Sequence, residues 1–205
     1  MPVMTLRRSL IALSAILALA FAAEAQAPHD QSPEAIPAVA RLKPAQIRSE
    51  QLDRLFARLI KSQDPSEAQR TEQSIWSLWM TSDSPTADAL LAQAMKASAV
   101  NETAAALSIL DKVIAVHPDY AEAWNKRATV YFLIGRYNDS LKDIDKVLEL
   151  EPRHFGALSG RGMIKRQQGD LAGARAAFEE ALSFNPHMEG VKRALDEIES
   201  EERPI

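Results

Sequence analysis

Four histidines, His29, His117, His154 and His187, are the residues of this chain best suited to metal ligation or proton transfer. Their spacing argues against both roles. No two lie four residues apart on one helix, and no cysteine or tight carboxylate cluster completes a ligand set. His117, His154 and His187 instead sit beside Pro118, Pro152 and Pro186, where the chain turns. Nucleophilic chemistry has no better footing, because the sequence holds no Gly-x-Ser-x-Gly turn, no phosphate loop and no dinucleotide fingerprint. Ser159-Gly160-Arg161-Gly162 is its one glycine cluster, and it falls mid-helix, where glycine permits close packing. With no cysteine at all, disulfides, thiolate metal sites, a cysteine nucleophile and a lipoprotein anchor are excluded. The expectation is a protein without catalytic residues, metal or cofactor.

The elements must then be there to present a surface. The chain has 205 residues, 46% of them apolar and 25% charged, which is ordinary globular composition. A net charge of −4 does not suit a general nucleic-acid binder. Residues 1–25 read as a secretory signal peptide: Arg7 and Arg8 precede an apolar run from Leu10 to Ala23, too short to span a bilayer, and Ala23-Glu24-Ala25 permits cleavage after Ala25. The processed protein is expected in the periplasm, with no membrane span. Pro28, Pro33, Pro37 and Pro44 mark residues 26–45 as an extended linker.

An internal repeat dominates the remainder. Pro118, Pro152 and Pro186 are spaced by 34, and that period divides the chain into units 87–120, 121–154 and 155–188. Equivalent positions keep their character: Leu90, Trp124 and Leu158 are large and apolar; Ala94, Ala128 and Gly162 are small; Asn101, Gly135 and Gly169 are turn-formers. Ala106, Ser140 and Ala174 are again small, and Leu110, Ile144 and Phe178 large. Each unit reads as two helices joined at the Asn or Gly, both of which tolerate left-handed backbone. Asp119 and Glu122 have capping-box spacing for the helix that follows. Leu141, Ile144, Val147 and Leu148 make one apolar stripe that a single pair cannot bury, so neighbours must stack.

These residues resemble the tetratricopeptide repeat. The middle unit carries the pattern through Trp124, Ala128, Tyr131, Gly135, Tyr137 and Pro152, and the third through Gly162, Gly169, Ala174, Phe178, Ala181 and Pro186. The first holds Leu90, Ala94, Ala106 and Pro118. The resemblance implies an all-α, right-handed superhelical solenoid of three helix pairs. Arg127 and Arg161 depart from it, standing where the family has leucine. Asp143 or Asp145 is the expected partner of Arg127, and Glu179 or Glu180 that of Arg161.

The flanks read as helical too. Leu52, Leu55, Phe56, Leu59 and Ile60 form an amphipathic helix, Asp64-Pro65 starts another, and Ile75, Trp76, Trp79 and Met80 share one side of it. Residues 46–83 are expected to form a degenerate pair that caps the first repeat, with the tryptophans in its core. Val191, Ala194, Leu195 and Ile198 give a C-terminal capping helix within 189–203.

In the family the first helix of each repeat lines a concave groove. Carried over, the groove positions are Leu91, Met95 and Ser98; Asn125, Lys126, Thr129, Phe132 and Leu133; and Ser159, Met163, Arg166 and Gln167. This mixture suits an extended peptide or a partner helix. The carboxylate clamp of chaperone-binding relatives is not expected, since Leu91 and Met95 hold its Lys and Asn positions. The mature chain also resembles small exported tetratricopeptide proteins of Gram-negative bacteria, through Ile75-Trp76-Ser77-Leu78-Trp79-Met80, the stretch from Trp124 to Phe132, and that from Glu151 to Leu158. The implied role is a non-enzymatic adaptor that binds other proteins of the cell envelope and supports its integrity. Two alternatives stay open: an accessory activator or assembly factor for cell-wall or outer-membrane machinery, and a self-associating structural oligomer.

Overall fold

The computed structural model describes residues 44–202, and the signal-peptide reading and nearly all of the linker lie outside that range. The described residues form nine helices and no strand: α1 Pro44–Lys61, α2 Pro65–Trp79, α3 Pro85–Ala99, α4 Thr103–Val116, α5 Ala121–Leu133, α6 Tyr137–Leu150, α7 Phe155–Gln167, α8 Leu171–Phe184 and α9 Glu189–Glu202. The pairs α3–α4, α5–α6 and α7–α8 stack as an all-α solenoid, each second helix packing on the next first helix.

Local chemistry accounts for the joints. Asn101, Gly135 and Gly169 have φ of 61°, 74° and 77°, the left-handed conformation. At each joint the same two backbone bonds close the first helix. Glu102 N–H donates to Ala97 O, Arg136 N–H to Tyr131 O and Asp170 N–H to Lys165 O, while the turn residue itself bonds three residues back. Asp64 accepts from Ser66 N–H to cap α2, with Pro65 as its first residue, and Ser84 caps α3 in the same way ahead of Pro85.

Within a pair, small residues set the approach. Ala94, Ala128 and Gly162 are buried, as are Ala106, Ser140 and Ala174 opposite them. Ser140 Oγ–H donates to Ala128 O at 2.8 Å, so the hydroxyl is satisfied inside the pair. Leu110, Ile144 and Phe178 fill the space between. At the far end Val191 and Ile198 of α9 cover Ala174 and Phe178 of α8, closing the stack.

The N-terminal pair does not sit where the sequence reading puts it. Its apolar faces do not stack on the first repeat as a terminal cap. Leu52, Phe56, Leu59, Ile75 and Trp79 share a core with Phe155, Leu158 and Ala181 of the third repeat. Helix α1 runs along the row of inter-repeat turns. Arg48 and Leu52 border the 117–121 turn, Asp53 bonds Arg153, Phe56 packs edge-on against Phe155 and Phe184, and the carbonyl of Leu59 meets Nε2 of His187 at 2.9 Å. Just past the end of α2, Met80 joins the core of the first repeat and accepts a 2.7 Å bond from the hydroxyl of Tyr120. The pair is therefore a brace laid across the repeats. An amphipathic helix carries no label for the surface it will cover, and here that surface holds the aromatic residues at the start of α7 and the end of α8.

Candidate partner-binding groove

The first helices α3, α5 and α7 present one side to solvent, and three connected depressions run along it. A cavity of about 280 Å³ lies between α3 and α5, lined by Met95, Ser98, Lys126 and Thr129 among others. The next, of about 290 Å³ between α5 and α7, shares Thr129 and adds Phe132, Leu133, Ser159 and Met163. A third, of about 280 Å³, shares Phe132 and Met163 and continues to Arg166, Gln167 and α9. The structure thus brings eleven of the twelve groove positions expected from the sequence, Met95 through Gln167, to one continuous feature.

Leu91 is the exception, and it is corrected: it is fully buried with Ala87, Leu110 and Val113, in a cluster that Met80 also packs against. Asn125 and Ser159 line the groove floor but are themselves buried. Leu133, Met163 and Met95 are its most open apolar side chains, at 68%, 48% and 38% exposure. Phe132 leans on Tyr137, with ring centroids 5.7 Å apart. Thr129 spends its hydroxyl on Asn125 O, one turn back.

Two of the groove's cations are already engaged. Arg166 bonds Glu197 at 2.6 Å and Glu201 at 3.1 Å, tying α7 to α9. Lys126 Nζ lies 2.6 Å from Oε1 of Glu122 and 5.5 Å from the Trp76 ring centre. That contact opens onto a buried polar node that the sequence reading missed.

Glu122 does not reach back to close a capping box, and α5 has Tyr120 at its N-cap with no side-chain capping bond. Its carboxylate is fully buried. Oε2 lies 3.0 Å from Nε2 of His154, and both oxygens lie 3.2 Å from Nδ2 of Asn125. His154 Nδ1 accepts from Ala157 N–H, capping α7, so the ring carries its proton on Nε2 and donates it to Glu122. Burial pushes the Glu122 carboxyl up, but the His154 bond and the Lys126 charge together outweigh it and hold the group below the usual range. Trp79 stacks on the His154 ring at 4.1 Å, and Trp76 meets it edge-on at 5.5 Å. The tryptophans of the brace thus form the lid of this node. A Cβ at Gly156 would approach the Trp76 ring to 2.7 Å, so that glycine makes room for the lid. Spacing does signal the node, since Glu122 and Lys126 are one turn apart. What it does not show is that α2 covers them.

The arginines that depart from the repeat pattern are structural. Arg127 makes two bonds to Asp143, at 2.8 and 2.7 Å, and one to Asp111 at 2.7 Å. Arg161 pairs with Asp145, not with Glu179 or Glu180. It reaches back to the preceding repeat, in register with the Arg127–Asp111 bond. Trp124 Nε1–H donates to Pro118 O, and the Arg127 guanidinium covers the Trp124 ring at 4.9 Å. Tyr131 lies beneath Arg136 at 4.5 Å. Among the described residues no group of three or more His, Cys, Asp or Glu is placed to hold a metal, and no helix is long and apolar enough to cross a membrane.

Stacked helix pairs with an open inner groove define a repeat protein that presents a surface for other proteins. Comparison with known proteins agrees. The tetratricopeptide repeat family model matches residues 121–154 and again 155–188. A TPR repeat-containing protein of Rhizobium etli is 42% identical over 137 residues, which is 67% of each chain. This chain belongs to the tetratricopeptide repeat family. It is also 35% identical over 82 residues to the Hsp70-Hsp90 organizing protein of Triticum aestivum, covering 40% of this chain but only 14% of that one. Among solved structures, the first TPR of Spaghetti (RPAP3), bound to the HSP90 peptide SRMEEVD, superposes with a TM-score of 0.55 at 21% identity, over 58% of this chain and 94% of that one. The Sgt2 TPR domain from Aspergillus fumigatus gives 0.53 at 20% identity, over 60% and 87%. At these identities the likeness is one of fold.

Proposed function

We propose that this chain is a non-enzymatic adaptor of the periplasm, which binds a peptide or helix of an envelope protein along its groove and so supports the integrity of the envelope. The observation that carries the binding role is the continuity of the three depressions across α3, α5, α7 and α9, with Leu133 and Met163 exposed at their centre. An exposed apolar track flanked by polar side chains is what a protein-binding groove requires. The TPR of Spaghetti, which holds a peptide, supports the analogy at the level of fold. Export is supported by the short positive start, apolar run and Ala23-Glu24-Ala25 cleavage pattern.

A photo-crosslinking amino acid at Leu133, introduced in the native bacterium, tests the binding role. The expected product is a discrete adduct to one or a few envelope proteins, absent when the crosslinker is moved to Ile60 on α1. Adducts of equal yield from both positions, or none from Leu133, overturn it. Fractionation with N-terminal sequencing tests export, and a cytoplasmic protein beginning at Met1 would sink that part.

A further inference from the structure

The central depression is lined by thirteen side chains or glycines, and none of them is ionisable. Its exposed lining is dominated by carbon, with Phe132, Leu133, Ile144 and Met163 supplying most of the apolar bulk. A carboxylate or ammonium placed there would lose hydration and meet no opposite charge. The nearest cations on either side are occupied: Lys126 is held by Glu122 at one end, and Arg166 by Glu197 and Glu201 at the other. Charged side chains line the groove again at its α9 end, where Arg193 stands beside Arg166 and Glu197. Size points the same way. A dry apolar cavity of about 150 Å³ accepts a benzene-sized group, so a depression of about 290 Å³ has room for an apolar side chain.

Resting on the groove as the binding face, we infer that its occupant is a partner segment that inserts apolar side chains at the α5–α7 depression, and that it is not an acidic tail. The adaptability of Met163 and Met95 suits such a ligand, because an unbranched thioether can repack around differing apolar shapes.

A peptide array probed with the labelled full chain decides this. One set of twelve-residue peptides is built in many orders from Leu, Phe, Gln and Ser; in the second set Glu replaces every Leu and Phe. Binding is expected on the first set and at least tenfold weaker on the second. Met163→Glu, at an exposed position that leaves the fold intact, should weaken the first set about tenfold. Ile60→Glu, equally exposed but on the brace, should leave it unchanged. Equal or stronger signal on the acidic set, blank arrays, or equal losses from Met163→Glu and Ile60→Glu overturn the inference. Failure of the groove itself is read separately, from a silent crosslinker at Leu133. If that crosslinker joins residues 26–43 of the same chain, the occupant is the chain's own linker and the inference is wrong.

Discussion

Nε2 of His154 donates to Oε2 of Glu122 across 3.0 Å, joining the cap of α7 to the first turn of α5, 32 residues away, with both groups fully buried. The second oxygen of Glu122 holds Lys126, and the ring of His154 lies under Trp79. One carboxylate therefore ties two repeats, the groove wall and the brace together.

Removing that carboxylate should be costly. Glu122→Ala leaves Lys126, Asn125 and His154 without their shared acceptor, and breaking a buried pair from one side costs about 3–5 kcal/mol. The urea midpoint should fall accordingly, and the loss should be much smaller when His154 and Lys126 are replaced at the same time. Additive losses in that cycle would show that the three do not act as a unit.

The same group sets a pH dependence. Its folded pKa lies below the ordinary 4.5, so its contribution is complete above that value and is lost as pH falls through the lower folded value. Urea midpoints measured from pH 7 down to pH 3 should therefore drop more steeply below about pH 4.5 in the wild type than in Glu122→Gln. Parallel curves would remove Glu122 from the account.

Two glycines on α7 should respond with opposite signs. A Cβ at Gly162 would clash with the edge of the Phe178 ring, which is 1% exposed and closely packed. Overpacking of that kind costs about 1–3 kcal/mol. At Gly160 a Cβ would meet only Ile144 Cδ1 at 3.5 Å, an ordinary contact. Gly160→Ala should thus gain up to about 1 kcal/mol from helix propensity alone, and Gly162→Ala should lose stability. Thermal melts of the two single variants decide the signs.

Arg127 and Arg161 share a repeat position but should not share an energy. Arg127 is 16% exposed and grips the buried Asp143 with two bonds, whereas Asp145, the partner of Arg161, is 70% exposed. Arg127→Ala should cost about 2–4 kcal/mol by leaving Asp143 buried and unpaired. Arg161→Ala should cost under about 1 kcal/mol. Equal shifts in the denaturation midpoint would contradict the difference in burial.

Loosening the brace should be felt at its contacts. Phe56→Ala deletes a buried ring that touches Phe155, Phe184 and Trp79, at about 3–5 kcal/mol. Hydrogen exchange should accelerate most at the 151–155 and 185–188 turns. A terminal cap on the first repeat would instead expose α3, so fastest exchange there would restore the capping arrangement.

Much of the chain was legible because repeat structure is written locally. A 34-residue period, a left-handed residue at 101, 135 and 169, and small residues at 94, 128 and 162 follow from the φ and spacing needs of a helix pair, whatever the rest of the chain does. The caps Asp64 and Ser84 are local as well. Most groove positions transferred from the family because helix periodicity sets which side of α5 and α7 faces outward.

The largest misreading, the placement of the N-terminal pair, involves partners far apart in sequence. Asp53 and Arg153 are 100 residues apart, and Leu59 and His187 are 128 apart. No periodicity relates such residues, so the docking of the brace had no local signature. Glu122 followed the capping rule only while its surroundings were ignored. Once Trp76 and Trp79 exclude water, a buried carboxylate must find donors, and His154, Asn125 and Lys126 provide them. Leu91 was assigned to the groove by repeat phase and buried by its neighbours.

By itself the sequence determined the helices, the three joints and the order in which the pairs stack, because each depends on interactions within about one repeat. The tertiary structure decided where α1 and α2 lie, which charges are quenched and how much of the groove stays open. Those outcomes depend on which apolar surfaces and which opposite charges meet once the chain is compact.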